Sequence, residues 1–338
     1  MGVTHDICYL CGAPGRYRYK NMQDHIFGAQ GTWNYKSCDD CGLTWLTPHS
    51  KEINQAYADY YTHENADTLN SLSNKSIQRI KTFIAASSFG YSYLLDKKKD
   101  RLLGRALSII GPLQNIAGRH IMWLQGDHAG RLLDIGCGDG AFMARMRQMG
   151  WEVTGIEPDL AAAENARKKF DLNHIHAGFL EDAGFADNSF DAVTMAHVIE
   201  HLPDPIKTIR ECRRILRPGG KLVITTPNSK SLGERWFGKH WRGWEPPRHL
   251  FLFTVESLQT CAHKADFTKC EVRTSSTTAF DVWKASSYLR GSARTTRNIS
   301  PRSSKKIASE ALAFWLGEYL FNLFSPCGEE LALFAVKD

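Results

Sequence analysis

The run LDIGCGDG at 133–140 limits what this chain can fold into more than any other stretch. A short apolar strand ends in a turn with glycine at 136 and 138, and a helix-forming segment follows at once. Glycine lets the backbone turn tightly and approach a ligand with no side chain between, and the helix start offers unpaired N–H groups. Glu157 closes the next strand about 20 residues on, where a carboxylate can accept from both hydroxyls of a ribose. The spacing is G-x-G-x-G and not the G-x-G-x-x-G of pyrophosphate binders, so a nucleoside without a pyrophosphate fits better.

This turn heads a long alternation. From 131 to about 274 the strands RLLDI, EVTGIE, FDAVTMA and KLVITTP alternate with the helices AFMARMRQMG, PDLAAAENARKKF and DPIKTIRECRRIL. That order predicts an α/β fold with a parallel sheet and crossover helices. Asp204 followed by Pro205 supplies an N-cap and a first-turn proline, and Gly150 closes the helix after the first strand. Upstream, residues 1–48 set strand-like runs (RYRYK at 16–20, TWNYK at 32–36) between two C-x-x-C pairs. Residues 49–128 are helix-rich, with Leu102, Leu103, Ala106, Leu107 and Ile110 at helical spacing before Gly111-Pro112. The last segment, 275–338, holds a basic run, an apolar helix over 311–324 and a final strand, EELALFAV. The expected organisation is a ribbon at 1–48, a helical linker or cap at 49–128, and an α/β domain at 129–338 with an insertion at about 276–327.

Spacing decides what the nine cysteines do. Cys8, Cys11, Cys38 and Cys41 form C-x-x-C-G twice, each glycine permitting the left-handed turn that wraps a knuckle round a metal. Four thiolates predict a closed, structural Zn²⁺ site, with His25 as a minor substitute ligand. The other five cysteines are scattered; Cys137 reads as a small buried filler between two glycines. One metal site and no disulfide framework suit a reducing compartment. MGVTHDIC carries no secretory signal, and the longest uncharged apolar stretch, Ala106 to Gly118, is too short to span a bilayer, so the expectation is a cytoplasmic protein.

The net charge is 42 − 36 = +6, too mild for a general nucleic-acid footprint. Much of it sits in one acid-free run, Lys284, Arg290, Arg294, Arg297, Arg302, Lys305 and Lys306. That run is expected to be a lid or insertion. Core packing is the expected role of the apolar helix beyond it, with contact of 284–324 with an anionic membrane surface, at the inner face of the membrane, as the alternative. RYRYK interleaves basic and aromatic residues, which a half-exposed hairpin strand explains more cheaply than RNA contact.

LDIGCGDG, VTGIEPD, DNSFDAVTMAHVIEHLPDP and RILRPGGKLVITTPN stand in the order of the landmarks of the class I S-adenosylmethionine-dependent methyltransferases, and the chain resembles that superfamily over 131 to about 274. The resemblance implies a Rossmann-like seven-stranded sheet, mostly parallel with the last strand antiparallel. It implies that Asp134, Gly136, Gly138 and Asp139 hold the methionine part of S-adenosylmethionine, that Glu157 holds its ribose, and that Asp182 (or Glu181) and Met195 lie along its adenosine. The superfamily often has a Gly-Asp pair after the third strand; this chain has Gly178-Phe179.

Methyl transfer from a sulfonium is an in-line displacement, so chemistry belongs at the loops beyond the carboxyl ends of the strands. The loop His197-Val198-Ile199-Glu200-His201-Leu202-Pro203 matches the letters of an inverted zinc-protease motif, which needs a continuous helix that Pro203 and the Asp204 cap deny it. It looks instead like the E-x-x-E-H segment of the ubiquinone-biosynthesis O-methyltransferases, which implies a divalent cation near Glu200 and His201; here His197 replaces the first acid. His197 and His201 are candidate bases or acceptor-orienting groups. The second loop, SLGERWFGKHWRGWEPPRHLFLFT, carries Trp236, Trp241, Trp244, Arg248 and His249. Its W…E-x-P-R-H-L-x-x-F pattern is similar to a bacterial branch that tailors small molecules and cell-surface glycans. Apolar platforms plus one fixed cation suit an acceptor with a flat or sugar-like face and a negative group, which makes Trp241, Trp244 and Arg248 candidate acceptor contacts. The similarity implies that Arg248 and His249 face the site, with His249 a further base. The leading expectation is O-methylation of a small-molecule, glycan or lipid-linked acceptor. The alternatives are an RNA base methyltransferase, since one ribosomal-RNA family also joins a four-cysteine ribbon to this fold, and a silent cofactor-binding scaffold.

Overall fold

The computed structural model describes residues 6–48, 74–95, 97–292 and 301–338. Residues 49–73 of the expected cap and 293–300 of the basic run, with Arg294 and Arg297, lie outside the described residues, as does the side chain of Arg302. The chain opens with β1 (Gly15–Met22), β2 (Trp33–Cys38) and β3 (Thr44–Thr47), and continues through α1 (Asn74–Ser88), α2 (Lys98–Ser108) and α3 (Gly111–His120). Then follow β4 (Arg131–Ile135), α4 (Ala141–Gln148), β5 (Glu152–Glu157), α5 (Leu160–Phe170), β6 (Ile175–Ala177), β7 (Phe190–Ala196), α6 (Pro205–Ile215) and β8 (Leu216–Pro227). The remainder comprises α7 (Leu232–Phe237), β9 (Phe251–Leu252), α8 (Val255–Lys264), β10 (Lys269–Ser275), α9 (Ala279–Ser292), α10 (Pro301–Asn322) and β11 (Glu330–Val336).

The larger sheet has seven strands in the order β10-β11-β8-β7-β4-β5-β6, and β11 alone runs against the rest. This is the Rossmann-like seven-stranded sheet, mostly parallel with one antiparallel strand, that the resemblance implies. Its central strands read as continuous apolar runs because crossover helices cover both faces. The strand order reverses between β4 and β7, where Thr194 Oγ1 donates to Asp134 Oδ1 at 2.7 Å. A crevice outside the strand ends is expected at that point. Asp204 caps α6 by accepting from the Lys207 N–H, and Pro205 stands in its first turn, as the sequence predicts.

Three boundaries differ from the sequence reading. β8 begins at Leu216, five residues before the expected KLVITTP, because the β7 pairing skips from Phe190↔Leu216 to Ala192↔Lys221 and leaves RPGG as a bulge with Gly219 at φ +79°. The segment between β10 and β11 is largely two helices, α9 and α10, and α10 starts ten residues before the expected apolar run. The first three strands form one antiparallel sheet with β9, a strand of the loop after β8, through Thr44↔Leu252 and Trp45↔Phe251.

That shared strand seats the ribbon on the second of the two candidate loops. Tyr35 and Trp45 bury in the same apolar cluster as Ile135, Trp244 and Phe253. Arg18 pairs with Glu234 at 2.7 Å, and Tyr9 donates to the Asp204 carboxylate. The deepest link is Arg248, 1% exposed, whose guanidinium lies 2.9 Å from Asp24 and 3.1 Å from Glu245 and sits over the Phe27 ring. Asp24 also accepts the backbone N–H groups of Ile26, Phe27 and Ala29, each at 3.0 Å. Removing one partner of a buried pair strands the other charges, at a cost of about 3–5 kcal/mol. Arg248→Met should therefore lower the urea midpoint by that amount of stability, and an unchanged midpoint would show that the ribbon does not depend on this pair.

Candidate active site

The turn after β4 is built on three left-handed glycines, Gly136 (φ +72°), Gly138 (φ +53°) and Gly140 (φ +76°). The N–H groups of Gly136 and Cys137 both donate to the Ile156 carbonyl, at 2.8 and 3.0 Å, so the turn folds back over β5. A Cβ at Gly136 would meet the Val198 side chain at 2.5 Å, whereas one at Gly138 would meet nothing within 4 Å. Glu157 closes the turn: its two oxygens accept from Gly138 N–H at 2.8 Å and Asp159 N–H at 3.0 Å. A carboxylate has about four lone-pair positions, so two remain for other donors. Cys137 is buried, and burial pushes its thiol up, which agrees with a neutral filler.

Beside the turn is a cavity of about 490 Å³, in the range that holds a nucleoside-sized ligand. Asp134, Gly136 and Asp139 line it, as do Lys81, Arg119 and Arg145. Burial raises the Asp134 carboxyl to about 7, partly countered by Thr194. Burial and the Arg119 charge lower Arg145 to about 10. The wall carries both carboxylates and guanidinium groups, the two partners that the ammonium and the carboxylate of a zwitterionic amino acid need. The residues present therefore fit the methionine end of S-adenosylmethionine. Gly138, Glu157, Asp182 and Met195 do not line this cavity. Asp182 is exposed in a short 3-10 turn after β6, and Met195 is fully buried within β7.

Past β7, His197 adopts φ +56°, a conformation that costs a non-glycine residue about 1–3 kcal/mol and marks a held position. Its Nε2 lies 2.8 Å from Glu330 and its Nδ1 3.3 Å from Glu200. Burial opposes the charged imidazole, but the two carboxylates outweigh it and raise His197 to about 9. Burial likewise opposes charge on Glu200 and Glu330, yet the facing cations hold both at about 2. Arg119 donates to Glu330 at 2.8 Å, so a chain of opposite charges runs from the cavity wall to the loop after β7. A protonated imidazole between two carboxylates orients them and cannot serve as a base at neutral pH. Lys81, Arg119, Arg145 and Glu330 escaped the sequence reading. The only signal was the pair of acids heading the apolar EELALFAV strand, since Lys81 and the arginines sit on helices with no motif.

The remaining two histidines meet face to edge, their ring centroids 4.8 Å apart. His249 Nδ1 is 2.7 Å from the Gly243 carbonyl and His201 Nδ1 is 3.0 Å from the Arg248 carbonyl. A carbonyl can only accept, so each Nδ1 carries a proton, and His249 Nε2 lies 3.7 Å from a Glu245 oxygen. Burial lowers His249 to about 4, keeping it neutral. Ligand atoms of Glu200, His201 and His249 lie within 4.8 Å of one another. Trp241, Trp244 and Arg248, expected to face an acceptor, are instead packed inside. Trp241 donates to Glu329 at 2.7 Å, Trp244 to the Gly238 carbonyl at 3.0 Å, and Arg248 is consumed by Asp24 and Glu245. The aromatic cluster of this loop is filled by the ribbon, while Trp236 stays exposed against Trp283.

In the ribbon, Cys8, Cys11, Cys38 and Cys41 converge, with sulfurs 3.4 Å apart in the pairs Cys8–Cys41 and Cys11–Cys38. The knuckles repeat each other: Gly12 N–H donates to the Cys8 carbonyl at 2.9 Å and Gly42 N–H to the Cys38 carbonyl at 3.0 Å. Those contacts are far longer than a disulfide and suit four thiolates round one tetrahedral ion.

Residues 92–272 match the family model for a methyltransferase domain. The ubiquinone biosynthesis O-methyltransferase of Pseudomonas aeruginosa is 35% identical over 130 residues, covering 35% of this chain and 54% of the relative. That of Xanthomonas oryzae pv. oryzae is 39% identical over 103 residues, covering 29% and 43%. The chain thus spans about half the length of the curated relatives it matches. Among solved structures, a SAM-dependent methyltransferase from Archaeoglobus fulgidus aligns at 19% identity with TM-score 0.42, covering 62% of this chain and 86% of that one. One from Mesorhizobium loti aligns at 16% identity with TM-score 0.44, covering 66% and 98%. With the glycine turn, the Glu157 closure and the seven-stranded sheet in place, the family match over more than half its length makes this chain a member of the methyltransferase-domain family.

Proposed function

We propose that the protein transfers the sulfonium methyl of S-adenosylmethionine to a hydroxyl oxygen of a small-molecule, glycan or lipid-linked acceptor. The observation that carries the reading is the turn closed by Glu157 beside a cavity that sets Asp134 against Arg119 and Arg145. Asp134 and the guanidinium groups would hold the amino acid end, and Glu157 the ribose, fixing the methyl for in-line attack. Such alignment can supply about 7–11 kcal/mol of the barrier. His201 and His249, whose Nδ1 atoms are turned to backbone carbonyls, are the candidate groups to accept the acceptor's proton, a contribution of about 10²- to 10⁴-fold. His197, held protonated, takes the role of an electrostatic brace. The alternative for the same groups is a divalent cation: two imidazoles with Nδ1 bound to carbonyls and the Glu200 carboxylate would hold it, its contribution would be to polarise the acceptor oxygen, and the Nε2 atoms would then be ligands and not bases.

The four cysteines would hold a structural Zn²⁺ that keeps the ribbon folded over the second loop. The purified chain should carry a single zinc, and Cys11→Ser/Cys41→Ser should lose it together with thermal stability; a metal-free wild type with unchanged melting would remove the ion from the account. For the reaction itself, methyl-labelled S-adenosylmethionine is incubated with the protein and a crude extract separated into RNA, small-molecule and lipid-glycan fractions. Label is expected outside the RNA fraction and should depend on His249. Label found in RNA alone would overturn the acceptor assignment, and no transfer to any fraction would favour a silent binding scaffold.

A further inference from the structure

Helix α10 is apolar on its outward face as well as its inward one. Ala311 and the acid Glu318 are fully buried, Glu318 accepting the Glu329 N–H at 2.9 Å, while Leu312, Leu316, Leu320, Leu323 and Phe324 on and just after the helix are 51%, 47%, 58%, 61% and 90% exposed. These positions follow helical spacing, so they form one outward stripe. Scattered exposed leucines need no explanation, but a stripe of this length does. A second apolar group adjoins it. Leu102, Leu103, Ile109 and Ile110, on and just after α2, are 65%, 46%, 85% and 47% exposed. The two groups meet at the corner between α2 and α3, where a methyl placed on Gly111 would come within 2.2 Å of the Tyr319 hydroxyl of α10.

The charge around this surface is one-sided. Lys98, Lys99, Arg101 and Arg105 are exposed on α2, and Lys305 and Lys306 at the start of α10. The acids of the same segments, Asp100 and Glu310, are only partly exposed. We propose that the outward faces of α2 and α10 together form a docking surface for an anionic lipid membrane. Apolar side chains backed by lysine and arginine gain from burial at the headgroup boundary and from the negative surface potential at once. Two copies of this face would set like charges against each other, which disfavours a symmetric dimer here. No helix among the described residues is long and apolar enough to cross a membrane, so the surface lies on the bilayer. From the same corner α3 runs to Arg119 on the cavity wall, so docking would bring the site close to the lipid surface.

Sedimentation with vesicles of phosphatidylcholine, alone or mixed with phosphatidylglycerol, tests this on the full chain. Binding to the mixed vesicles only, weakening with salt, is expected. Leu316→Gln/Leu320→Gln should lower the partition coefficient at least about tenfold. Lys98→Glu/Lys99→Glu should lower it at least about fivefold per residue reversed, as each near-surface charge contributes about 1 kcal/mol. All four residues are exposed, and circular dichroism checks that the fold is kept; if the leucine variant fails to fold, the lysine variant decides. The proposal is overturned if wild type ignores the anionic vesicles or if the folded variants bind as wild type does. Light scattering that shows a wild-type dimer broken by the leucine pair would assign the face to a second copy instead.

Discussion

A guanidinium that is 1% exposed must be met by carboxylates, and Arg248 takes its two from different parts of the chain. Asp24 comes from the ribbon and Glu245 from the loop after β8. Asp24 is also held by three backbone N–H groups and Glu245 also meets Arg242, so Arg248 is the link that joins two anchored carboxylates. The backbone of that loop is therefore fixed where the ribbon sits, and its carbonyl groups inherit the constraint. Arg248 O holds His201, and Gly243 O holds His249. The ribbon thus acts on the candidate site through the loop it pins down, which explains why four cysteines far from the glycine turn belong to the same structure.

The electrostatics of the site divide along the same lines. At the glycine turn, burial leaves Asp134 near neutrality at about 7, ready to be drawn into its charged form by a ligand's ammonium group. At the loop after β7, ion pairs go the other way and keep His197, Glu200 and Glu330 charged. One region is poised to receive charge and the other is saturated with it. The three histidines accordingly sit in different surroundings, His197 between two carboxylates and His201 and His249 against backbone carbonyls, even though His197 and His201 belong to one short motif.

Local signals wrote the sheet and its cofactor turn plainly into the sequence. LDIGCGDG, Glu157 and the Asp204-Pro205 cap each rest on backbone rules that act within a few residues, and each stands where it was read. The four cysteines converge for the same reason. What the sequence hid depends on distant partners. Trp241, Trp244 and Arg248 look like an acceptor platform until the ribbon is seen to cover them. Arg119, Arg145 and Lys81 carry no motif, and they enter the cavity only because α1, α3 and α4 pack beside β4. Asp182 rests on family position alone and stands exposed in a short turn after β6, and Met195 is buried within β7. The exposed stripe of α10 likewise required knowing that Glu318, and not its leucines, faces inward.

The central claim is that Glu157 both closes the glycine turn and receives the ribose of S-adenosylmethionine. Calorimetric titration of S-adenosylmethionine into wild type and Glu157→Ala tests it directly. Saturable binding by wild type, weakened by about 1–3 kcal/mol in the variant with the fold retained, is the predicted result. Equal affinity of the two proteins, or no binding to wild type, would contradict it.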